Sequence, residues 1–459
     1  MKTSIFKFHC ILLVGIFLIS EATAQQWQPV GPIAFTPNSV KYTTIAINKN
    51  GEPYVAFQDK EFYGQLSVMK YTGNEWIMLG DSGVSTSDAA YISMAFNKNG
   101  EPFVALSDGG YGVASVRTFD GSTWVEVGST SVTTSYAKYT SIALDSNDIP
   151  FVAYADHALS GKVSVKKFDG TSWVGVGVAG FSAEGSQYVS LAINANNEPY
   201  VAYIGLDAKK VTVSKFDGTN WQTVGEPDFS GWDAYDASLA FGNGPEPYVA
   251  YTAYGGVADW DAWVKKFDGT DWVNVGTMPA STRGAEYASL KFSSDGVPYL
   301  AYADGDNFDK ATVKKFDGAS WLTVGTAGFS EGDADYLSLA LNPNGVPYVA
   351  YSDDENAKKL TVMKFTAVES IESNSAPSAA LKLYPNPANT KVSIENIPAN
   401  ATIRIVDLTG KQLYYSNTFG RSSVIETGQF DDGLYILQVE GRTFKMSIKL
   451  VINHQSPGY

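Results

Sequence analysis

One motif recurs seven times between residues 53 and 350. Pro-aromatic-[Val/Leu]-Ala begins at Pro53, Pro102, Pro150, Pro199, Pro247, Pro298 and Pro347, in steps of 49, 48, 49, 48, 51 and 49 residues. A Tyr precedes the Pro by eleven residues in six units, at Tyr42, Tyr91, Tyr139, Tyr188, Tyr287 and Tyr336. The fifth unit has Asp236 there, with Tyr235 one place off. A Phe-Asp-Gly turn follows at Phe119, Phe168, Phe216, Phe267 and Phe316, and Tyr71-Thr72-Gly73 is the first unit's version. So regular a period admits only architectures in which each unit buries its apolar face against the next.

Each unit reads as four short strands. In the fourth they span residues 188–193, 199–203, 211–216 and 221–225. Pro at the start of a strand is tolerated because it removes only a terminal ladder donor. Asn-Gly (Asn50-Gly51, Asn99-Gly100, Asn344-Gly345) marks the first hairpin and Asp-Gly the second, both pairs suited to positive φ. Four strands per unit, seven times over, describes the blades of a β-propeller.

The tryptophans test this. A fourth-strand Trp occurs at Trp76, Trp124, Trp173, Trp221, Trp272 and Trp321, and none follows Phe365 in the seventh unit. The missing residue is Trp27, 49 residues before Trp76 and ahead of the first unit. The spacing predicts that the N-terminal strand supplies the outer strand of the last blade and closes the ring, hiding edges that an open array would expose. An open solenoid leaves Trp27 unexplained. The Trp side chains are expected between blades. The expected fold is all-β: a seven-bladed propeller over residues 25–366, then a small β-sandwich.

Residues 1–24 read as a secretory signal. Lys2 and Lys7 precede an apolar core from Ile11 to Ile19, too short to span a bilayer, and Ala22-Thr23-Ala24 fits the small-x-small cleavage rule. The sole cysteine, Cys10, lies inside the signal. The mature protein is therefore expected to have no disulfide, thiolate metal site or cysteine nucleophile.

After Phe365 the repeat stops. Residues 367–380 are small and polar and read as a linker; residues 381–453 alternate in several stretches like half-buried strands, and 454–459 form a tail. The motifs are Tyr384-Pro385-Asn386-Pro387, Asp407-Leu-Thr-Gly410-Lys411, Gly433-Leu-Tyr435 and Lys449-Leu-Val451, in that order. This segment resembles the C-terminal sorting domain of the type IX secretion system of Gram-negative bacteria. The resemblance implies recognition by that machinery through residues 381–453, with the cargo released or fixed to the outer-membrane surface.

Charge separates the two parts. The chain carries −15 in all, yet residues from 367 onward hold 8 basic and 8 acidic residues, so the acidity belongs to the propeller. Neither nucleic acid nor anionic lipid suits such a surface.

In a four-stranded blade the connections between second and third strands, and those between blades, lie on one face. Here they vary in sequence while the hairpin turns are nearly uniform, and variable loops on a rigid ring are where binding usually sits. Two sets converge there: the Tyr ring, and a carboxylate after each central strand at Asp59, Asp108, Asp156, Asp304 and Asp353, replaced by Gly205 and Ala253 in the fourth and fifth units. One reading is a shallow cation or sugar site, with rings for stacking and carboxylates accepting from hydroxyls. The other is that the Tyr rings pack and each Asp caps its own turn. The fifth unit breaks both patterns and is rich in aromatics, which marks Trp232, Tyr235, Asp236, Tyr254 and Trp260, with Trp263, as candidate ligand contacts.

Catalytic chemistry is sparse. Gly328-Phe-Ser330-Glu-Gly332 matches a nucleophile elbow literally but lies between two strands. A Ser–His pair or His-based metal site would depend on His157, since His454 is in the tail. Asp304, Asp306 and Asp309 are acidic enough for Ca²⁺ but lack the EF-hand pattern, so no cofactor is assigned. The expected function is a secreted or cell-surface binding module for a glycan or an extracellular protein. A propeller-based polysaccharide hydrolase or lyase is the alternative, and a structural surface protein the second.

Overall fold

Each of the seven units folds as a four-stranded antiparallel sheet. The computed structural model describes residues 25–109, 112–254, 260–367, 382–397, 401–407, 411–418, 420–440 and 445–454. The proposed signal peptide, most of the linker, residues 408–410 of the Asp407–Lys411 turn and tail residues 455–459 lie outside them. Blade 4 is typical, with strands Ser186–Ile193, Pro199–Gly205, Val211–Phe216 and Trp221–Thr223 in that order. The central strand is apolar throughout, as expected of a strand covered on both faces. Consecutive inner strands are neighbours, and the seventh, Ala334–Leu341, neighbours the first, Val40–Ile47.

The N-terminal strand Gln25–Pro29 lies beside Lys359–Ala367 as the fourth strand of blade 7. Two repeating belts extend through it. In the first, each fourth-strand Trp donates its indole N–H to a carbonyl just after the fourth strand of the preceding blade: Trp76 to Val30, Trp124 to Leu79, Trp173 to Val127, Trp221 to Val176, Trp272 to Val224 and Trp321 to Val275. Trp27 donates to Val324 at 2.8 Å and completes the series. Five of the seven indoles are buried and Trp221 and Trp321 half-buried, so a polar N–H that would otherwise cost stability is satisfied each time.

In the second belt, a buried hydroxyl in each blade-to-blade connection accepts from a backbone N–H in the third strand of the blade just left. Ser85, Thr133, Ser182, Ser230, Ser281 and Ser330 accept from Leu66, Ala114, Val163, Val211, Ala262 and Ala311. Thr36 does the same for Leu360 of blade 7, at 3.0 Å. Ser330 is thus a structural member of a series, and its hydroxyl donates to the Gly332 carbonyl.

The Val-Gly pair after each fourth strand, Leu79-Gly80 in blade 1, explains a glycine. Gly325 has φ +72, and a Cβ there would meet a ring carbon of Phe365 at 2.7 Å and of Trp27 at 3.2 Å. Only a residue without a side chain lets the next Trp and its partner ring approach so closely.

Residues from Ala367 onward belong to a separate compact unit. It has a three-stranded sheet, Lys382–Tyr384, Lys391–Glu395 and Ser422–Glu426, and a four-stranded sheet built from Gln412–Thr418, Ala401–Val406, Gly433–Glu440 and Lys445–Ile452. Val392, Ile394, Ile403, Ile405, Leu437 and Leu450 share one core between the sheets, which makes it a sandwich.

Candidate functional site

Every inner strand carries a bulge at the same place, where its register slips against the second strand. The residue in the slip has left-handed backbone in all seven blades: Tyr42, Tyr91, Tyr139, Tyr188, Asp236, Tyr287 and Tyr336, with φ between 49 and 57. Non-glycine residues there are strained by on the order of 1 kcal/mol or more, and bulges re-aim side chains. Here they aim them together. Ring centroids lie 5.3 Å apart for Tyr42 and Tyr91, 4.6 Å for Tyr91 and Tyr139, 5.4 Å for Tyr139 and Tyr188, 5.6 Å for Tyr287 and Tyr336, and 5.1 Å for Tyr336 and Tyr42. Within this circle is a cavity of about 280 Å³, floored by the next residues of the inner strands.

The circle breaks at blade 5. Asp236 takes the bulge position, and its Oδ2 accepts the backbone N–H of Tyr287 at 2.8 Å. Tyr235, one residue earlier, places its ring 5.9 Å from Tyr188 at 72° and 4.8 Å from Trp260 at 83°. A second cavity, of about 340 Å³, opens in the gap between Tyr188, Tyr235, Asp236, Trp260, Glu286 and Tyr287. Asp236 keeps some surface open to it, yet so much protein surrounds the carboxyl that desolvation, reinforced by Glu286, raises its pKa to about 6. Glu286 is exposed at the rim, and partial burial among neighbouring groups, then Asp309 and Asp335, pushes its pKa upward too. Tyr188 and Tyr287 are held well above the usual phenol range, chiefly by burial.

The remaining blade 5 candidates divide. Trp260 lines the second cavity, and Tyr254 stands beside it, edge-on at 5.8 Å and exposed. Trp232 is 51% exposed and lines neither cavity. Trp263 packs half-buried against the blade core. Large exposed apolar side chains gather in the connections of this face, among them Tyr63 (89%), Met278 (70%) and Phe308 (82%).

The structure does not bring the five carboxylates to either cavity. Asp59, Asp156 and Asp304 end their strands and accept the backbone N–H two residues on, at Glu61, Ala158 and Asp306, capping a short 3₁₀ turn. Their second oxygens, where bonded, turn inward: Asp156 to Ser164, Asp304 to Thr312 at 2.8 Å. Asp353 accepts from Asn356 and Thr361, and Asp108 from the backbone of Thr86 and Ser87. The calcium candidates separate likewise. Asp304 faces Thr312 and Asn307, while Asp306 accepts from the Thr282 hydroxyl. Among the described residues no group of three or more His, Cys, Asp or Glu is placed to hold a metal ion. His157 packs its ring 4.3 Å from Tyr136, away from Ser330 and its partners.

The sandwich motifs and their order have a counterpart among known families. Residues 382–453 match the secretion system C-terminal sorting domain. This tail implies export by the type IX machinery to the cell surface or beyond, and no described helix is long and apolar enough to cross a membrane. A search of curated proteins finds no match. Among solved structures, the chain is similar to PorZ, an essential bacterial surface component of the type IX secretion system of Porphyromonas gingivalis. That likeness has 16% identity and a TM-score of 0.47, over 92% of this chain and 61% of PorZ. The chain thus spans less than two thirds of PorZ. A family PL25 ulvan lyase aligns over 73% of this chain and 95% of its own at 14% identity, TM-score 0.50. The SapL1 lectin, solved with α-methyl fucoside, aligns over 65% of this chain and 99% of its own at 16% identity, TM-score 0.45. Identities this low speak for the fold alone. The protein is an exported propeller carrying a sorting domain.

Proposed function

We propose that the propeller is a saccharide-binding module, displayed or released outside the cell, with its site in the blade 5 cavity. The mature chain then begins near Gln25, and residues 367–380 link module to sorting domain. The observation that carries this reading is the break in the Tyr circle. At the one blade where the repeat fails, the chain has an opening walled by Tyr188, Tyr235 and Trp260 and edged by Asp236 and Glu286. Aromatic walls stack on the apolar faces of a sugar ring, and carboxylates accept from its hydroxyls. A glycan array probed with residues 25–366 tests it. Reproducible binding that falls at least tenfold in Trp260→Ala, with the melting temperature held, is expected. Binding unchanged in that variant places the site elsewhere.

The raised carboxyls favour a second reading, a polysaccharide hydrolase or lyase using Asp236 and Glu286 as acid and base. Polysaccharide incubated with the protein separates the two. New reducing or unsaturated ends, lost in Asp236→Asn, would make it an enzyme, and binding without new ends a lectin-like module.

A further inference from the structure

Three features of the blade 5 cavity point to the charge of its ligand. The first is the orientation of its walls. Neighbouring rings elsewhere in the Tyr circle are inclined by 39° to 53°. Around Tyr235 they stand nearly perpendicular, Tyr188 at 72° and Trp260 at 83°, so the three rings form sides of a box. Aromatic ring faces that open onto such a cavity attract a cation.

The second feature is a pair of carboxylates. Asp236 and Glu286 line the box together, and Asp236 accepts there from the Tyr287 backbone N–H. An ammonium group would bring donors and positive charge to both carboxylates, the half-buried Asp236 and the exposed Glu286, which a neutral ligand would not.

The third is the arrangement of charge around the mouth. The position before the bulge is Lys41, Ala90, Lys138, Gln187, Tyr235, Glu286 and Asp335 in blades 1 to 7. Basic residues thus stand on one side and acidic ones on the other. On the acidic side Asp335 pairs with Lys358 at 2.9 Å, which also reaches Asp354 at 3.1 Å, while Lys138 lies over the Tyr136 ring on the basic side. Glu286 is the acidic member of this series that lines the blade 5 cavity.

We infer that this cavity selects an ammonium group, and that the saccharide it binds carries a free amine. The inference rests on the saccharide-binding reading above and narrows it to amino sugars. The nitrogen would lie in the box of Tyr188, Tyr235 and Trp260 against Asp236 and Glu286, with Tyr254 and the outer edge of Trp260 left to stack on an adjoining sugar.

Calorimetric titration of the full mature chain with a chitosan tetramer, the N-acetylated tetramer and cellotetraose at pH 7.5 and 0.3 M NaCl tests it. The free-amine tetramer is expected to bind at least tenfold more tightly than either neutral one. Asp236→Asn, which keeps an acceptor for the Tyr287 N–H, and Glu286→Gln should each remove most of that preference while leaving any neutral binding in place. Glu101→Gln, on the hairpin face, should leave the preference intact and so exclude general attraction to an acidic protein. Equal binding of all three tetramers overturns the inference and leaves the saccharide reading standing. A preference that survives both cavity variants also overturns it. Should none of the three bind while other neutral glycans are captured through Trp260, the amine requirement is wrong, and should no saccharide bind at all, both readings fall.

Discussion

The indole N–H of Trp27 donates to the carbonyl of Val324 across 2.8 Å of space and 297 residues of sequence. It joins the first strand of the propeller to the last turn of its sixth repeat, and six equivalent bonds surround the axis. Trp27 also stacks on Phe329 at 4.0 Å. Trp27→Ala is therefore expected to lower stability by about 3–5 kcal/mol, through lost burial and a cavity. Trp27→Phe keeps most of the ring but strands the Val324 carbonyl, so about 1–3 kcal/mol is expected. Urea unfolding of residues 25–366 measures both. A loss in Trp27→Ala no larger than that of an exposed residue such as Val125→Ala would mean that the N-terminal strand does not hold the seventh blade.

Gly325 and Gly318 separate two roles of glycine in one blade. Both have positive φ, +72 and +100, so alanine strains the backbone at either. Around Gly318 an added methyl meets nothing within 4 Å, whereas at Gly325 it meets Phe365 and Trp27. Gly325→Ala should then cost about 1–3 kcal/mol more than Gly318→Ala, the usual range for overpacking. Equal losses, read from the same urea curves, would assign the whole effect to φ.

The blades were legible because their signals are covalent and periodic: the Pro that opens each central strand, the turn glycines, the Trp spacing that reached back to Trp27. The bulge was not. Left-handed backbone is ordinarily announced by Gly or Asn, and here six of seven positions are Tyr, held by the strands on either side. The five carboxylates show a different limit. Spacing puts each at the end of a central strand, but whether it turns outward to a ligand or inward depends on what the register sets opposite. For Asp156, Asp304 and Asp353 that partner is a Ser or Thr eight residues on, Ser164, Thr312 and Thr361. Blade 5 was legible as a departure from the repeat, and its cavity follows from the same substitution. Glu286 gave no such signal, since it becomes a neighbour of Asp236 only when blades 5 and 6 pack together.

Asp304 tests the inward reading. Its carboxylate accepts from Thr312, Asn307 and the Asp306 backbone, at 2.8, 2.9 and 3.2 Å. Asp304→Ala removes all three hydrogen bonds and should lower stability by about 1–2 kcal/mol, as loss of a cap does. Saccharide affinity should stay within twofold of the parent, and addition or chelation of calcium should not move the melting temperature of either protein. A large loss of affinity with unchanged melting would return Asp304 to the binding site.

The sorting domain and the propeller are separate compact units with separate cores. A chain truncated after Thr366 should therefore fold and melt like the propeller in the full chain, but remain in the periplasm of a host with a working type IX system. Fractionation with an antibody to the propeller reads this out. Appearance of the truncated protein in the medium at full-length levels would show that residues 382–453 are dispensable for export.

Asp236 gives stability and binding opposite responses to pH. Its pKa is about 6 in the folded protein against 3.8 ordinarily. Between those values the native state keeps a proton that the unfolded chain has released, so stability falls as pH rises through the window and stays lower above it. Asp236→Asn holds that position neutral at every pH and retains an acceptor for Tyr287. The variant should be more stable than the parent at pH 7.5, by on the order of 2–3 kcal/mol, the equivalent of a shift of this size, and most of the difference should be gone by about pH 4. Affinity for a free-amine saccharide should move the other way, weakening below about pH 6 as Asp236 takes up its proton. Tyr188 and Tyr287, the other shifted groups facing the carboxyl, stay neutral throughout. Melting curves and titrations of both proteins from pH 4 to 8 measure the two trends. Parallel curves for parent and variant would mean that Asp236 remains an ordinary, well-solvated carboxylate and that the cavity does not desolvate it.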